Sequence, residues 1–180
     1  MKILPAALPG LGFVENFHAV DNRGDFEKFF HAGIFAAAGI DDRFREAYVT
    51  ISHRNVIRGM HFQKPPHALA KLVTVLSGRI IDVVFDLRRS SPSFGRFASF
   101  EMKADDHRSL YIPVGFAHGF CALEDDCRLL YLVTREYDFA LDTGFRYDSF
   151  GFNWPVEGTP VLSERDLALP PLAELDVEFE

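Results

Sequence analysis

Along this chain apolar residues recur at every second position or in short unbroken runs, with polar residues, Gly or Pro between the runs. Such a pattern predicts strands. GFVENFHAV (residues 12–20) ends at the polar turn DNRGD, and FEKFF resumes the extended pattern. AYVTISHRNVIRGMHF is rich in β-branched residues, and KLVTVL, a turn at Ser77-Gly78 and RIIDVVFDL predict a hairpin. FGRFASFEM, SLYIPVGFAHGFCAL and CRLLYLVTREY continue the series. Two short helices interrupt it: the Ala-rich AGIFAAAGI (32–40), closed by Gly39, and a capped turn starting at SERD in the proline-punctuated tail. Short strands with regular turn signals predict an antiparallel sandwich or barrel rather than an alternating βαβ sheet. With no internal repeat, low-complexity segment or linker, residues 1–180 are expected to form one domain.

Alternation also says which polar groups point inward. In KLVTVL, Lys71 shares a face with Val73 and Val75, while Leu72, Thr74 and Leu76 share the other. Both faces are largely apolar, as in a strand covered on two sides. A lysine there is costly unless it is paired or used, because taking its charge out of water costs several kcal/mol; at the first residue of a strand its stem can also reach water. Around it, RGMHFQKPPHALAKL places Arg58, His61, His67 and Lys71 beside a Pro-Pro break. His118 lies between Gly115 and Gly119, which suits a binding loop. Taken singly, each has an ordinary explanation: Tyr131 as a packed strand tyrosine, Asp166 as a first-turn helix acid, Arg58 as a surface ion pair.

Composition narrows the functional classes. The 180 residues include 19 Phe, more than an ordinary core needs, and aromatics favour strands and sandwich interiors. A formal charge of −7 argues against a nucleic-acid surface while allowing a local cationic pocket. Cys121 and Cys127 are too few for a disulfide scaffold, so a reducing, cytoplasmic setting is expected. The opening MKILPAALPGLGF is too short and too broken by Pro and Gly to read as a signal peptide, and no apolar run approaches the ~20 residues of a membrane span.

Together, RGMHFQ, the lysine of ALAKL, GRIIDVVFDLR, SPSFG, IPVGFAHGF, LLY, NWP and LSERD occur in an order that resembles the dTDP-4-dehydrorhamnose 3,5-epimerase family of nucleotide-sugar 4-keto epimerases, from about Gly12 to the tail. The resemblance implies an all-β, cupin-type jelly-roll barrel with short peripheral helices, a homodimer, and a reaction without metal or organic cofactor. It casts His61 as the base that removes a proton next to the keto group, Asp166 as the carboxylate supporting that histidine, Lys71 as the cation beside the enolate oxygen, and Tyr131 as the acid on the opposite face. It places Arg23, Arg58 and His118 near the sugar and diphosphate, Lys28 and Tyr48 around the nucleotide, and Gln63 among the substrate-binding positions.

The chain departs from the family pattern near the nucleotide. Lys28 stands where a glutamate is usual, and Glu46-Ala47-Tyr48 replaces a Gln-x-Asn stretch, so the resemblance implies either a dTDP- or a CDP-linked 4-keto sugar. Leu132 and Tyr137-Asp138 also depart from it, which leaves inversion at C3, C5 or both open. A 3,4-ketoisomerase is a nearby reading. Further alternatives are a metal-dependent cupin using His61, His67 and His118, although the closely spaced His-x-His and following Glu of such sites are absent, and a sugar-binding module on the same fold.

Overall fold

The computed structural model describes residues 1–40 and 43–179. Strands β1 (Lys2–Pro5), β2 (Gly12–Glu15), β3 (Phe17–Asp21) and β4 (Gly24–Lys28) lead into helix α1 (Ala32–Ala37). Then come β5 (Glu46–Ser52), β6 (Ile57–Gln63), β7 (Lys71–Ser77), β8 (Arg79–Asp86) and β9 (Phe97–Lys103). The series continues with β10 (Arg108–Ile112), β11 (Phe116–Ala122), β12 (Cys127–Val133) and β13 (Asp142–Gly144), and helix α2 (Glu164–Leu167) lies in the tail. Among the described residues one antiparallel sheet runs β1-β2-β10-β7-β12-β5, a second β13-β6-β11-β8-β9, and β3 with β4 forms a separate hairpin. This is the expected all-β jelly roll with short peripheral helices.

One element departs from expectation. KLVTVL and RIIDVVFDL do not pair as a hairpin: β7 pairs with β10 and β12, whereas β8 pairs with β11 and β9 in the other sheet. The turn at Ser77-Gly78 therefore hands the chain from one sheet to the other. Gly78 sits at φ +77°, where a Cβ would come within 2.6 Å of the Cys127 Sγ. Local turn chemistry is the same for a hairpin and for a sheet-crossing corner. What selects the corner is that both strands are apolar on both faces.

That two-sided burial is visible in the packing. Val73, Val75, Leu110 and Leu129 meet Ile80, Val84, Phe116 and Phe120 between the sheets. Leu72, Val14 and Tyr111 on the outer face of the first sheet are covered by Phe35 of α1, with Phe30 and Phe44 packed alongside. The outer face of the second sheet, Met60, Phe62, Val83 and Phe85, is closed by Phe145, Phe150, Phe152, Trp154 and Phe179. The abundance of Phe is thus accounted for by three apolar layers rather than one, many of the rings meeting edge to face. The NWP motif is anchored by Trp154, whose indole N–H donates to the Tyr147 carbonyl at 2.8 Å. In SPSFG, Ser91 and Ser93 donate to the buried Asp86 carboxylate. Burial pushes that acid up, but Arg88 and the two serines outweigh it and hold it at about 2.

Candidate active site

Strands from both sheets line a cavity of about 380 Å³ near one end of the sandwich. From the first sheet come Tyr48, Lys71 and Tyr131; from the second, Arg58, His61 and His118; and α2 supplies Asp166. His61 and Lys71 open onto the same space, and the Lys71 ammonium donates to the His61 carbonyl at 3.2 Å.

Strict alternation would point Arg58 and His61 to opposite faces of β6. They share the cavity because the strand bulges: His118 opposes His61 and Phe120 opposes Arg58, so three steps on β6 face two on β11. Gly59 makes this possible with φ +133°, and the backbones press together so tightly that a Cβ on Gly59 would lie 2.5 Å from the Gly119 Cα. RGMHFQ and AHGF are therefore two halves of one device. Each contributes the glycine that lets the other approach.

Asp166 reaches His61 from a one-turn helix. Ser163 caps α2, its hydroxyl accepting from the Asp166 N–H at 3.1 Å, and the Asp166 carboxylate accepts from His61 Nε2 at 2.5 Å. With Nε2–H held there, Nδ1 is left as the basic nitrogen. Burial raises the Asp166 acid, but the hydrogen bond and charge of His61, with Arg165 nearby, bring it below its ordinary value, so it stays a carboxylate. Asp166 is thus both a first-turn helix acid and the partner of His61.

Burial lowers Lys71 from 10.5 to about 8 despite Asp142 and Asp82 nearby. Burial likewise pushes Tyr131 well above its ordinary value, with Tyr48 and Asp82 adding to the effect, so this phenol keeps its proton. His118 is buried, which depresses its basicity, and its Nε2–H donates to Asp82 at 2.8 Å. An imidazole held by a carboxylate, an ammonium and a protonated phenol around one space can take up a proton, stabilise an oxyanion and return a proton.

The other expected site residues divide. Arg58 lines the cavity, its guanidinium donating to the Ser52 hydroxyl and the Ile51 carbonyl. Gln63 also lines it, but its amide is committed to the backbone: it donates to the His67 and Glu136 carbonyls and accepts from the Asp138 N–H. This anchors the loop after β12 and uses both N–H donors of the amide. Arg23 and Lys28 are not brought to this cavity by their own chain. They sit on the exposed β3–β4 hairpin, Arg23 paired with Asp21 and Lys28 over the Phe17 ring. His67, offered with His61 and His118 as a metal set, instead lines a neighbouring cavity and pairs with Asp138 at 2.7 Å. Among the described residues no group of three His, Cys, Asp or Glu side chains is arranged to hold a metal ion.

Sequence reasoning missed Asp82, fully buried behind His118, and the Asp142–Arg165 ion pair at 2.7 Å on the cavity wall. Asp82 had a readable signal. It shares a face with Ile80 and Val84, and an acid on a core face demands a partner.

An all-β jelly roll whose cavity holds a histidine–carboxylate pair, a buried ammonium and a phenol has the equipment of an enzyme that moves protons at carbon, an isomerase of the epimerase kind. The chain belongs to the dTDP-4-dehydrorhamnose 3,5-epimerase family, whose model matches residues 5–174. It is 36% identical over 177 residues to the dTDP-4-dehydrorhamnose 3,5-epimerase of Methanothermobacter thermautotrophicus, covering 96% of this chain and 95% of that one. It is also 36% identical over 177 residues to a dTDP-4-dehydrorhamnose 3-epimerase of Streptomyces niveus, covering 97% and 85%. The crystal structure of a 3,5-epimerase from Legionella pneumophila in complex with dTDP-4-keto-L-rhamnose superposes with a TM-score of 0.91 at 31% identity, covering 97% and 94%.

Proposed function

We propose that this protein inverts C3 and C5 of a dTDP-linked 4-keto-6-deoxy sugar by proton transfer through an enolate. The observation that carries the reading is the convergence of His61, Lys71 and Tyr131 on one cavity. His61, held by Asp166, takes the proton from the carbon next to the C4 ketone. The electron pair moves onto the ketone oxygen, where the Lys71 ammonium stabilises it; one such donor in a dry site is commonly worth ~3–4 kcal/mol. Tyr131 delivers a proton to the opposite face as the enolate collapses. A well-placed base or acid contributes roughly 10²–10⁴-fold. No step requires a hydride or a Lewis acid, because the ketone already acidifies its neighbouring C–H bonds. Arg58 and His118 bind the sugar and diphosphate.

The reading extends to a homodimer. The β3–β4 hairpin exposes Phe17, Val20 and Phe26, and β5 exposes Val49 and Ile51, apolar side chains suited to being covered by a second copy. Arg23 and Lys28 would then act on the partner's cavity, not on their own. The free, buried Cys121 and Cys127 suit a reducing cytoplasm.

Proton NMR in deuterated water with dTDP- and CDP-linked 4-keto-6-deoxyglucose tests the proposal. Loss of both the H3 and H5 signals with appearance of the inverted sugar is expected for the dTDP compound. Loss of H3 alone would identify a C3 epimerase, and a 3-keto product a ketoisomerase. Absence of exchange at either carbon in both compounds would overturn the reading.

A further inference from the structure

Tyr131 sits in a row of side chains running across the first sheet. Phe13 opposes Leu110, Leu110 opposes Val73, Val73 opposes Tyr131, and Tyr131 opposes Tyr48. The row ends there, because β5 is the edge strand. Its first members are fixed by the core: Leu110 and Val73 are fully buried between the sheets. Its last member, Tyr48, is 40% exposed.

The two tyrosine rings lie parallel, with centroids 4.9 Å apart and planes 12° from coincidence. Across the cavity the Tyr131 ring meets the His118 ring edge-on at 6.0 Å, and His118 is itself fixed by its hydrogen bond to the buried Asp82. Tyr131 is thus held between a wall rooted in the core and a wall at the sheet edge. The core wall cannot move without unpacking β8 and β11. Tyr48 is the adjustable one, and taking its ring away opens a space at the sheet edge into which the Tyr131 ring can swing.

We infer that Tyr48 is a positioning residue for the proton donor: its ring, rather than its hydroxyl, holds the Tyr131 phenol where it reaches the enolate face opposite His61. The inference rests on the proposed epimerase reaction and adds to it a residue that acts through another. Proton removal depends on His61, Asp166 and Lys71, none of which belongs to the ring stack of Tyr48, Tyr131 and His118. Return of a proton to the far face depends on the alignment of Tyr131. Loosening the clamp therefore alters the fate of the enolate, not its formation. An enolate that is not protonated by Tyr131 recovers a solvent-derived proton from the His61 side, giving exchange without inversion.

The experiment measures, on the full-length protein in deuterated water, the ratio of inverted product to exchanged starting sugar for dTDP-4-keto-6-deoxyglucose. In Tyr48→Leu, whatever the change in total turnover, inversions per exchange should fall by a factor of about three to ten, the loss that corresponds to one such ring stack. Tyr48→Phe, which keeps the ring, should restore the ratio. Circular dichroism confirms the fold of each variant, and Tyr48→Val, β-branched for an edge strand, takes the place of Leu if that variant unfolds. An unchanged ratio in the aliphatic variant overturns the clamp, as does a parallel fall of exchange and inversion. If Tyr48→Phe behaves like Tyr48→Leu, the hydroxyl carries the role and the inference fails. These outcomes leave the epimerase reading intact, whereas no exchange by the unsubstituted protein takes down both.

Discussion

Lys71→Met should separate what the buried ammonium does for chemistry from what it does to the fold. The lysine ordinarily loses its proton at 10.5, but burial brings it to about 8. At ~1.4 kcal/mol for each pH unit, the folded state bears up to about 3 kcal/mol for holding that charge at neutral pH. Below pH 8 the side chain is charged in both the folded and the unfolded chain, so this cost is constant. Between about 8 and 10.5 the folded chain releases the proton while the unfolded chain keeps it. The unfolded state then binds more protons, and the stability of the lysine protein rises with pH. Above 10.5 both are neutral and the cost is gone. Methionine fills a similar volume without charge, so at pH 7 the variant should be the more stable protein by as much as about 3 kcal/mol, or roughly 6–12 °C in Tm for a chain of this size. Guanidinium unfolding of both proteins at pH 7, 8, 9 and 10 measures the difference directly. It should change little between pH 7 and 8 and then shrink through pH 9 and 10, while turnover of the variant is lost by at least about 10²-fold throughout. A variant less stable than the parent at pH 7, or a difference that does not change between pH 7 and 10, would refute the reasoning.

Tyr131→Phe should retain most exchange of the substrate C–H with deuterated water and lose roughly 10²-fold or more of inversion; equal loss of both, by NMR, would count against the phenol as the acid. Asp166→Asn should lower kcat by at least about 100-fold with little change in KM, because an amide no longer selects the His61 tautomer; wild-type turnover would remove Asp166 from the mechanism. Gly59→Ala drives a methyl into Gly119 in the bulge and should destabilise the fold by about 2 kcal/mol in urea titrations; a silent substitution would mean that the strands approach less closely than described.

Much of the fold was legible because its signals are local. Alternation marked the strands, Gly39 closed α1 and Ser163 opened α2. Pairing was not legible at Ser77-Gly78, since a turn of two residues is compatible with either a hairpin or a corner, and only partners far along the chain decide between them. In the site, Lys71 and His61 could be suspected from their own segments. That Arg58 faces the same way as His61 could not, because alternation predicts the opposite and the bulge that reverses it needs Gly119 from another strand. Gln63 has the composition of a ligand-binding residue, yet its amide is absorbed by the backbone of residues 136–138, a demand set by a loop remote in sequence. Arg23 and Lys28 lie away from the cavity for a similar reason: the hairpin that carries them is not part of either main sheet.

The corner at Ser77-Gly78 also governs how the molecule comes into being. Because β7 and β8 leave it for different layers, neither can zip up against the other, and each must wait for partners supplied by β9 to β12. Assembly then turns on closing long loops, which places this chain among the millisecond-to-second folders and leaves two apolar strands unpaired on a nascent chain until the later ones arrive. Since Asp166 follows every strand in the chain, the pairing of His61 with its carboxylate can form only after both sheets have been synthesised, so the base gains its support last.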